Sequence, residues 1–405
     1  MVKRIALIGN LNNNFFAITR LLRDNGYDAH LFFRSGQDHF HPKADTYDLS
    51  YVNYCHEVNW LDKGFHNVDK ENVLEDVKGF DFYIGQGDEA ATAYYAGINM
   101  DVYYPYGSDV FKYAHLKQEY SFRDKLLSQI RMGKKTITYK QMQRGTLAKY
   151  TKGVIVNSRE IFSSYWDDIW EERFDALNCG DKRRYVSMPF LYATEYEQLH
   201  DTHFQADAHW KSYVDTLRNK YKFIVLYHGR QEWNASPVTA KKSHHLILGF
   251  ASFLKNNPSA SACLVLIDYG QDVQRSRALI AEKGIEDHVV WLPKMYRKDI
   301  MYLLKNVDIG SGEFTRSFLT FGTIIEAMFM KKPVLNYRVD ELYTQEYDEL
   351  YPTYAVKEPE EIEVALSDAY SNPQKLKAMG LECYEWVRKY FIAKPIEELI
   401  KAIER

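Results

Sequence analysis

Short unbroken apolar runs alternate along the chain with segments whose apolar residues recur at helical spacing. Arg4 to Ile8 is one such run, ending at Gly9. Phe15, Ile18, Leu21 and Leu22 then follow a helical period until Gly26 stops the helix, and His30 to Phe33 forms the next strand. Further strands are predicted at Asp81 to Ile84, Asp101 to Tyr104, Gly153 to Val156 and Tyr185 to Pro189. A polar, helical connector follows from about 192 to 220. A second series starts at Phe223 to Tyr227 and recurs at Cys263 to Ile267, His288 to Leu292, Val307 to Ile309 and Pro333 to Tyr337. Continuous apolar strands separated by helices are the mark of parallel sheets covered on both faces. The fold class is α/β, with two Rossmann-like doubly wound domains, 1–198 and 199–387. The tail from Pro373 to Arg405 is helical.

With 405 residues the chain is long enough for two cores, and a hydrophobic fraction of 46% excludes a disordered chain. The net charge of −3 gives no global attraction to nucleic acid. Cys55, Cys179, Cys263 and Cys383 are scattered without a C-x-x-C pair, as in a reduced, cytoplasmic protein. The opening apolar run is too short for a signal peptide, and no run of about 18 apolar residues spans a membrane. The 32 tyrosines would suit sugar stacking and equally a compositional habit.

Chemistry concentrates between Gly310 and Asn336, where a loop, a glycine turn, a helix and a buried strand follow one another. Gly322 and Thr323 open the helix, so backbone N–H groups and the positive end of the helix dipole suit a diphosphate. Glu326, one turn in, can accept from ribose hydroxyls. The same Thr323-x-x-Glu326 spacing is also a capping box. The block resembles the nucleotide-sugar end of retaining glycosyltransferases of the GT-B fold, and most closely glycosyltransferase family 4. That family carries Glu, seven residues, Glu, then Ala-Met. Here Glu326-Ala327-Met328 matches the second half, while Phe318 stands at the first glutamate, leaving Glu313 or Arg316 as substitutes in the loop.

The resemblance extends over most of the chain and implies two Rossmann-like domains facing across a cleft whose closure excludes water; Trp386 to Tyr390 followed by Pro395 resembles the family's last helices, which implies that the helix from about 388 to 405 returns to the first domain. Gly229-Arg230 after the Phe223 strand, then Lys241-Lys242 before an amphipathic helix, is similar to the family's Gly-Arg and Lys-Gly. There the cations neutralise the departing diphosphate in place of a metal. A solvated lysine pair at a helix start is the alternative, and Lys242 occupies the place of a glycine. Leu292 to Met295, with Pro293, corresponds to the base-contacting strand end. In the first domain, Gly9 and the asparagines Asn12 and Asn13 form the loop at the carboxyl end of the first strand, where open α/β sheets bind ligands. Tyr106-Gly-Ser108-Asp109 resembles the family's His-Gly-Ser-Asp turn facing the sugar, with Tyr106 at the histidine, and Gln86 lies in a further strand-end loop. An ordinary capped turn is the alternative for the first and a flexible turn for the second.

From Phe122 to Lys152 there are nine Lys or Arg and one acid, interleaved with apolar residues. Such a stretch suits peripheral contact with an anionic membrane or the phosphate of a lipid-linked acceptor, and equally a solvated face. No D-x-D pair occurs, and His39-x-His41 and His244-His245 lack partners at metal-ligand spacing, so no metal or cofactor is assigned. Neither half carries G-x-G-x-x-G, which argues against a nicotinamide enzyme. The resemblance thus implies transfer of a sugar from a UDP- or GDP-linked donor to a hydroxyl of a glycan or lipid-linked glycan, with retention and without metal. Tyr106, Asp109, Arg230 and Lys241 are the expected catalytic set. The alternatives are a non-catalytic homologue and a sugar-nucleotide epimerase of the same architecture.

Overall fold

The computed structural model describes residues 2–61, 68–87, 89–105, 109, 153–156, 183–185, 188–189, 191–200, 208–234, 240–317, 319 and 321–405. It divides into two compact units, one of Met1–Tyr192 with Tyr390–Arg405 and the other of Ala193–Lys389.

The first unit holds a seven-stranded parallel sheet of β1 (Arg4–Ile8), β2 (Asp28–Arg34), β3 (Cys55–Val58), β4 (Phe82–Gln86), β5 (Val102–Tyr104), β6 (Gly153–Val156) and β7 (Arg183–Tyr185). Its order is 3-2-1-4-5-6-7. Ile5 pairs with Ala29 on one side and with Phe82 on the other. The helix α1 (Asn14–Asp24) crosses from β1 to β2, and α2 (Lys70–Asp76) and α3 (Glu89–Tyr95) flank β4 in sequence. Because β1 is covered on both faces, alternate residues enter different cores. Ala6 and Ile8 pack with Phe32 and Trp60, while Ile5 and Leu7 pack with Phe15 and Ile18 of α1.

The second unit contains α4 (Ala193–Gln198), α5 (Ala208–Lys220), α6 (Ser243–Asn256), α7 (Val273–Lys283), α8 (Arg297–Lys305), α9 (Gly322–Phe329), α10 (Pro359–Ser371) and α11 (Pro373–Arg388). Its parallel sheet comprises β8 (Phe223–Tyr227), β9 (Ala262–Ile267), β10 (Val289–Leu292), β11 (Ile309–Ser311), β12 (Val334–Asn336) and β13 (Tyr354–Ala355). The order is β10-β9-β8-β11-β12-β13, the same winding as the first sheet. The two α/β sheets agree with the alternation of apolar runs. Four strands differ from that reading: β3 and β13 were not predicted, β7 lies at 183–185 instead of Tyr185–Pro189, and β11 at 309–311 instead of Val307–Ile309. Among the described residues no helix is long and apolar enough to cross a membrane.

The last helix, α12 (Lys394–Glu404), belongs to the first unit, where Ile396, Leu399 and Ile403 are buried against the α1 side of the sheet.

Candidate functional site

In doubly wound sheets the strand order reverses between the first and fourth strands, and the loops leaving their carboxyl ends diverge to form a binding crevice. In the second unit that point lies between β8 and β11. The chain leaves β8 through His228, Gly229 and Arg230, and leaves β11 through Gly312 and Glu313. Gly229 has no room for a side chain, because an added Cβ would lie 2.8 Å from the Tyr227 ring. The Tyr227 hydroxyl donates to the Arg230 carbonyl (3.0 Å), which fixes the turn. Lys241 arrives by backbone pairing: its N–H donates to the Glu232 carbonyl (3.1 Å), and its own carbonyl accepts from Phe314 N–H (3.2 Å). Arg230, Glu232 and Lys241 are thus gathered beside Glu313, which is distant in sequence.

The cations in this group are each paired. Lys241 Nζ contacts Glu313 Oε1, with side chains 16% and 11% exposed, and Arg230 lies 3.0 Å from the buried Glu232. Burial, then the Arg230 charge, pulls the Lys241 ammonium down to about 8, with Glu232 opposing.

Glu326 is buried on α9 and is held by two donors. His228 Nε2 donates to Oε2 (2.8 Å), and Arg297 Nε, from the first residue of α8, donates to Oε1 (2.8 Å). Burial raises the pKa of this carboxyl, but the His228 hydrogen bond and the Arg297 charge outweigh it and hold Glu326 below the usual carboxylate range. His228 therefore carries its proton on Nε2, and its buried Nδ1 meets no partner among the described residues. The capping box is not formed. The N-cap of α9 is Phe321, with no side-chain acceptor, so Thr323 lies inside the helix and Glu326 is committed elsewhere. Gly322 is exposed and Thr323 half-buried at this open helix start.

Lys242 is the N-cap of α6 with φ of 50°, a left-handed conformation that glycine adopts without strain. Its ammonium faces the Glu358 carboxylate at 3.8 Å. Pro293 is exposed just beyond β10, and Lys294 beside it reaches over the Tyr269 ring. Of the set-aside histidines, His244 stacks on Trp233 and His245 bonds the Lys357 carbonyl. No group of three or more potential metal ligands occurs among the described residues.

In the first unit the corresponding point lies between β1 and β4. Gly9 has φ of 101° and approaches the Gln86 carbonyl too closely for a side chain to sit freely. Asn12 and Asn13 are both left-handed, but only Asn12 is exposed. Asn13 is buried and donates to Asp45 (3.0 Å), while Gln86 is buried and accepts from Leu11 N–H (3.1 Å). The side chains of both hold the loop. Asp109 is buried and accepts from the Tyr103 hydroxyl. Tyr106, Ser108, Phe318 and the basic stretch 122–152 lie outside the described residues.

Sequence reading did not single out His228, Arg297 or Glu232. His228 adjoins Gly229-Arg230, which is a usable local signal, whereas Arg297 lies 29 residues from Glu326 and meets it only through the packing of α8 beside α9.

Residues 214–386 match the family model described as glycosyl transferases group 1. Solved structures that match over nearly the whole chain include a sucrose-phosphate synthase, a glycosyltransferase of Rickettsia africae and a UDP-GlcNAc 2-epimerase. The chain has the GT-B fold, and its second half is similar to glycosyl transferases group 1. HepE of Anabaena in complex with UDP-glucose is 16% identical, with a TM-score of 0.58 over 99% of this chain and 100% of that one. Sucrose-phosphate synthase of Thermosynechococcus elongatus is 15% identical, with a TM-score of 0.58 over 100% and 98%. The UDP-GlcNAc 2-epimerase of Neisseria meningitidis bound to UDP-GlcNAc is 10% identical, with a TM-score of 0.56 over 99% of each chain. No curated protein matches the sequence significantly. The glycosyltransferase region of the family model contains the whole Arg230, Lys241, Glu313 and Glu326 constellation.

Proposed function

We propose that this chain is a glycosyltransferase that takes a UDP- or GDP-linked sugar and transfers it, with retention and without metal, to a hydroxyl of a glycan or lipid-linked glycan. The observation that carries the donor half of the reading is the constellation at the β8 and β11 carboxyl ends. Two cations, an uncapped helix start and a fixed carboxylate converge there. Arg230 and Lys241 supply positive charge where the diphosphate gains negative charge on leaving, which is how such groups lower a barrier. Gly322 and Thr323 offer backbone N–H groups, and Glu326, preset by His228 and Arg297, has lone pairs left for ribose hydroxyls. A complex of HepE with UDP-glucose supports the donor class. The acceptor class rests on the basic stretch 122–152, which suits an anionic lipid surface.

The test is donor turnover and binding by purified protein. With UDP- and GDP-sugars, Arg230→Ala is expected to lower kcat by roughly a hundredfold, the scale for losing one charge-stabilising group. Glu326→Gln should act on donor KM more than on kcat, because the ribose is bound alike before and during transfer. Retention of donor turnover in both variants would refute the assignment. Recovery of the donor as its epimer, with no acceptor present, would establish the epimerase reading that the Neisseria likeness also allows.

A further inference from the structure

The two cations of the donor site are held by carboxylates in different ways. Arg230 is 41% exposed and its partner Glu232 lies two residues away on the same loop, so the guanidinium can swing into solvent without disturbing the fold. Lys241 and Glu313 come from different loops, are nearly buried, and are each fixed by a backbone bond, Phe314 N–H to the Lys241 carbonyl and Tyr337 N–H to the Glu313 carbonyl. An anion that approaches Lys241 therefore meets the Glu313 charge in a poorly screened setting, where like charges repel strongly. Glu326 offers a contrast, since both of its oxygens already accept from fixed donors and neither donor is needed by a diphosphate.

We propose that Glu313 is an internal counter-ion that competes with anionic ligands for Lys241 and so sets the ligand specificity of the site. The inference rests on the diphosphate reading given above. A buried carboxylate that loses its partner needs a new donor. A ligand that brings hydroxyls beside its diphosphate satisfies both halves of the broken pair, whereas inorganic pyrophosphate satisfies only Lys241. The counter-ion thus favours nucleoside diphosphate sugars over smaller phosphates.

The experiment is calorimetric titration of inorganic pyrophosphate, UDP and GDP into the full-length wild type and Glu313→Gln, which removes the charge and keeps the shape. Pyrophosphate is expected to bind the variant roughly tenfold more tightly, the scale for removing one competing charge near a partly buried pair. Unchanged or weaker pyrophosphate binding overturns the proposal, even if nucleotides bind both proteins. Tighter pyrophosphate binding with no nucleotide binding upholds the counter-ion and instead refutes the nucleotide-sugar reading. Should the Gln variant not fold, Glu313→Asp draws the charge back by one methylene, and its pyrophosphate affinity must rise in the same direction.

Discussion

At the residue scale, Lys242 shows how a departure from a motif becomes legible in the backbone. The resemblance places a glycine there, and the structure supplies the reason, since φ is 50° at the N-cap of α6. A side chain in that conformation costs about 1–2 kcal/mol, partly offset here by the half-exposed Glu358 contact. Lys242→Gly is therefore expected to raise the melting temperature, with a gain of about 0.5–1 kcal/mol in urea unfolding; a loss of stability would show that the Glu358 contact outweighs the strain. Glu326 shows the opposite case. Its spacing from Thr323 fits a capping box, yet α9 starts two residues earlier at the Phe321 cap, and the carboxylate turns to His228 and Arg297. Local sequence permitted both outcomes, and only the neighbouring loops decided between them.

At the element scale, the strands that went unread are those whose sequence carries least pattern. Cys55–Val58 has His56 and Glu57 in its middle, and Tyr354–Ala355 is two residues long, so neither shows a period; each is a strand because a neighbour pairs with it. In β11, Gly310 reads as the start of a loop. It is strand because it pairs with Leu226 and Val334, and it is glycine because a Cβ there would lie 2.5 Å from that of Ala327 on α9. The pairing of β2 with β3 also joins His30 and His56, whose rings stack with a 2.9 Å contact between Nδ1 and Nε2, while His30 Nε2 bonds Asp28. Burial lowers both imidazole pKa values below 6.5; for His30 the Asp28 contact opposes this while Arg23 and Arg4 add to it, and for His56 the His30 ring adds to it while Asp76 opposes it. The unfolded chain therefore binds more protons as pH falls through 6.5, and stability is lost in that direction. Thermal unfolding should show a melting temperature that falls between about pH 7.5 and 5.5, with a smaller fall in His56→Gln. An identical fall in the variant would remove this pair as the cause.

At the scale of the whole molecule, the chain ends in the unit where it began. The amphipathic character of α12 is plain in its sequence, but which unit it covers is a matter of tertiary contact: Ile396, Leu399 and Ile403 complete the core that Phe15 and Ile18 begin. Leu399→Ala, at a side chain 1% exposed, is expected to cost about 2–5 kcal/mol. A two-probe denaturation, following each unit separately, should place the loss in the first unit; a loss confined to the second would contradict the packing. By itself the sequence determined the α/β class, most strands and the candidate donor residues, because buried parallel strands are continuous apolar runs and a glycine or a cation keeps its chemistry wherever it lies. Only the tertiary structure decided that Asn13 and Gln86 lock a loop, that Glu326 is preset by Arg297, and that Lys241 is neutralised by Glu313. These are pairings between residues far apart in the chain, and a charge does not reveal its partner until packing excludes water from the pair.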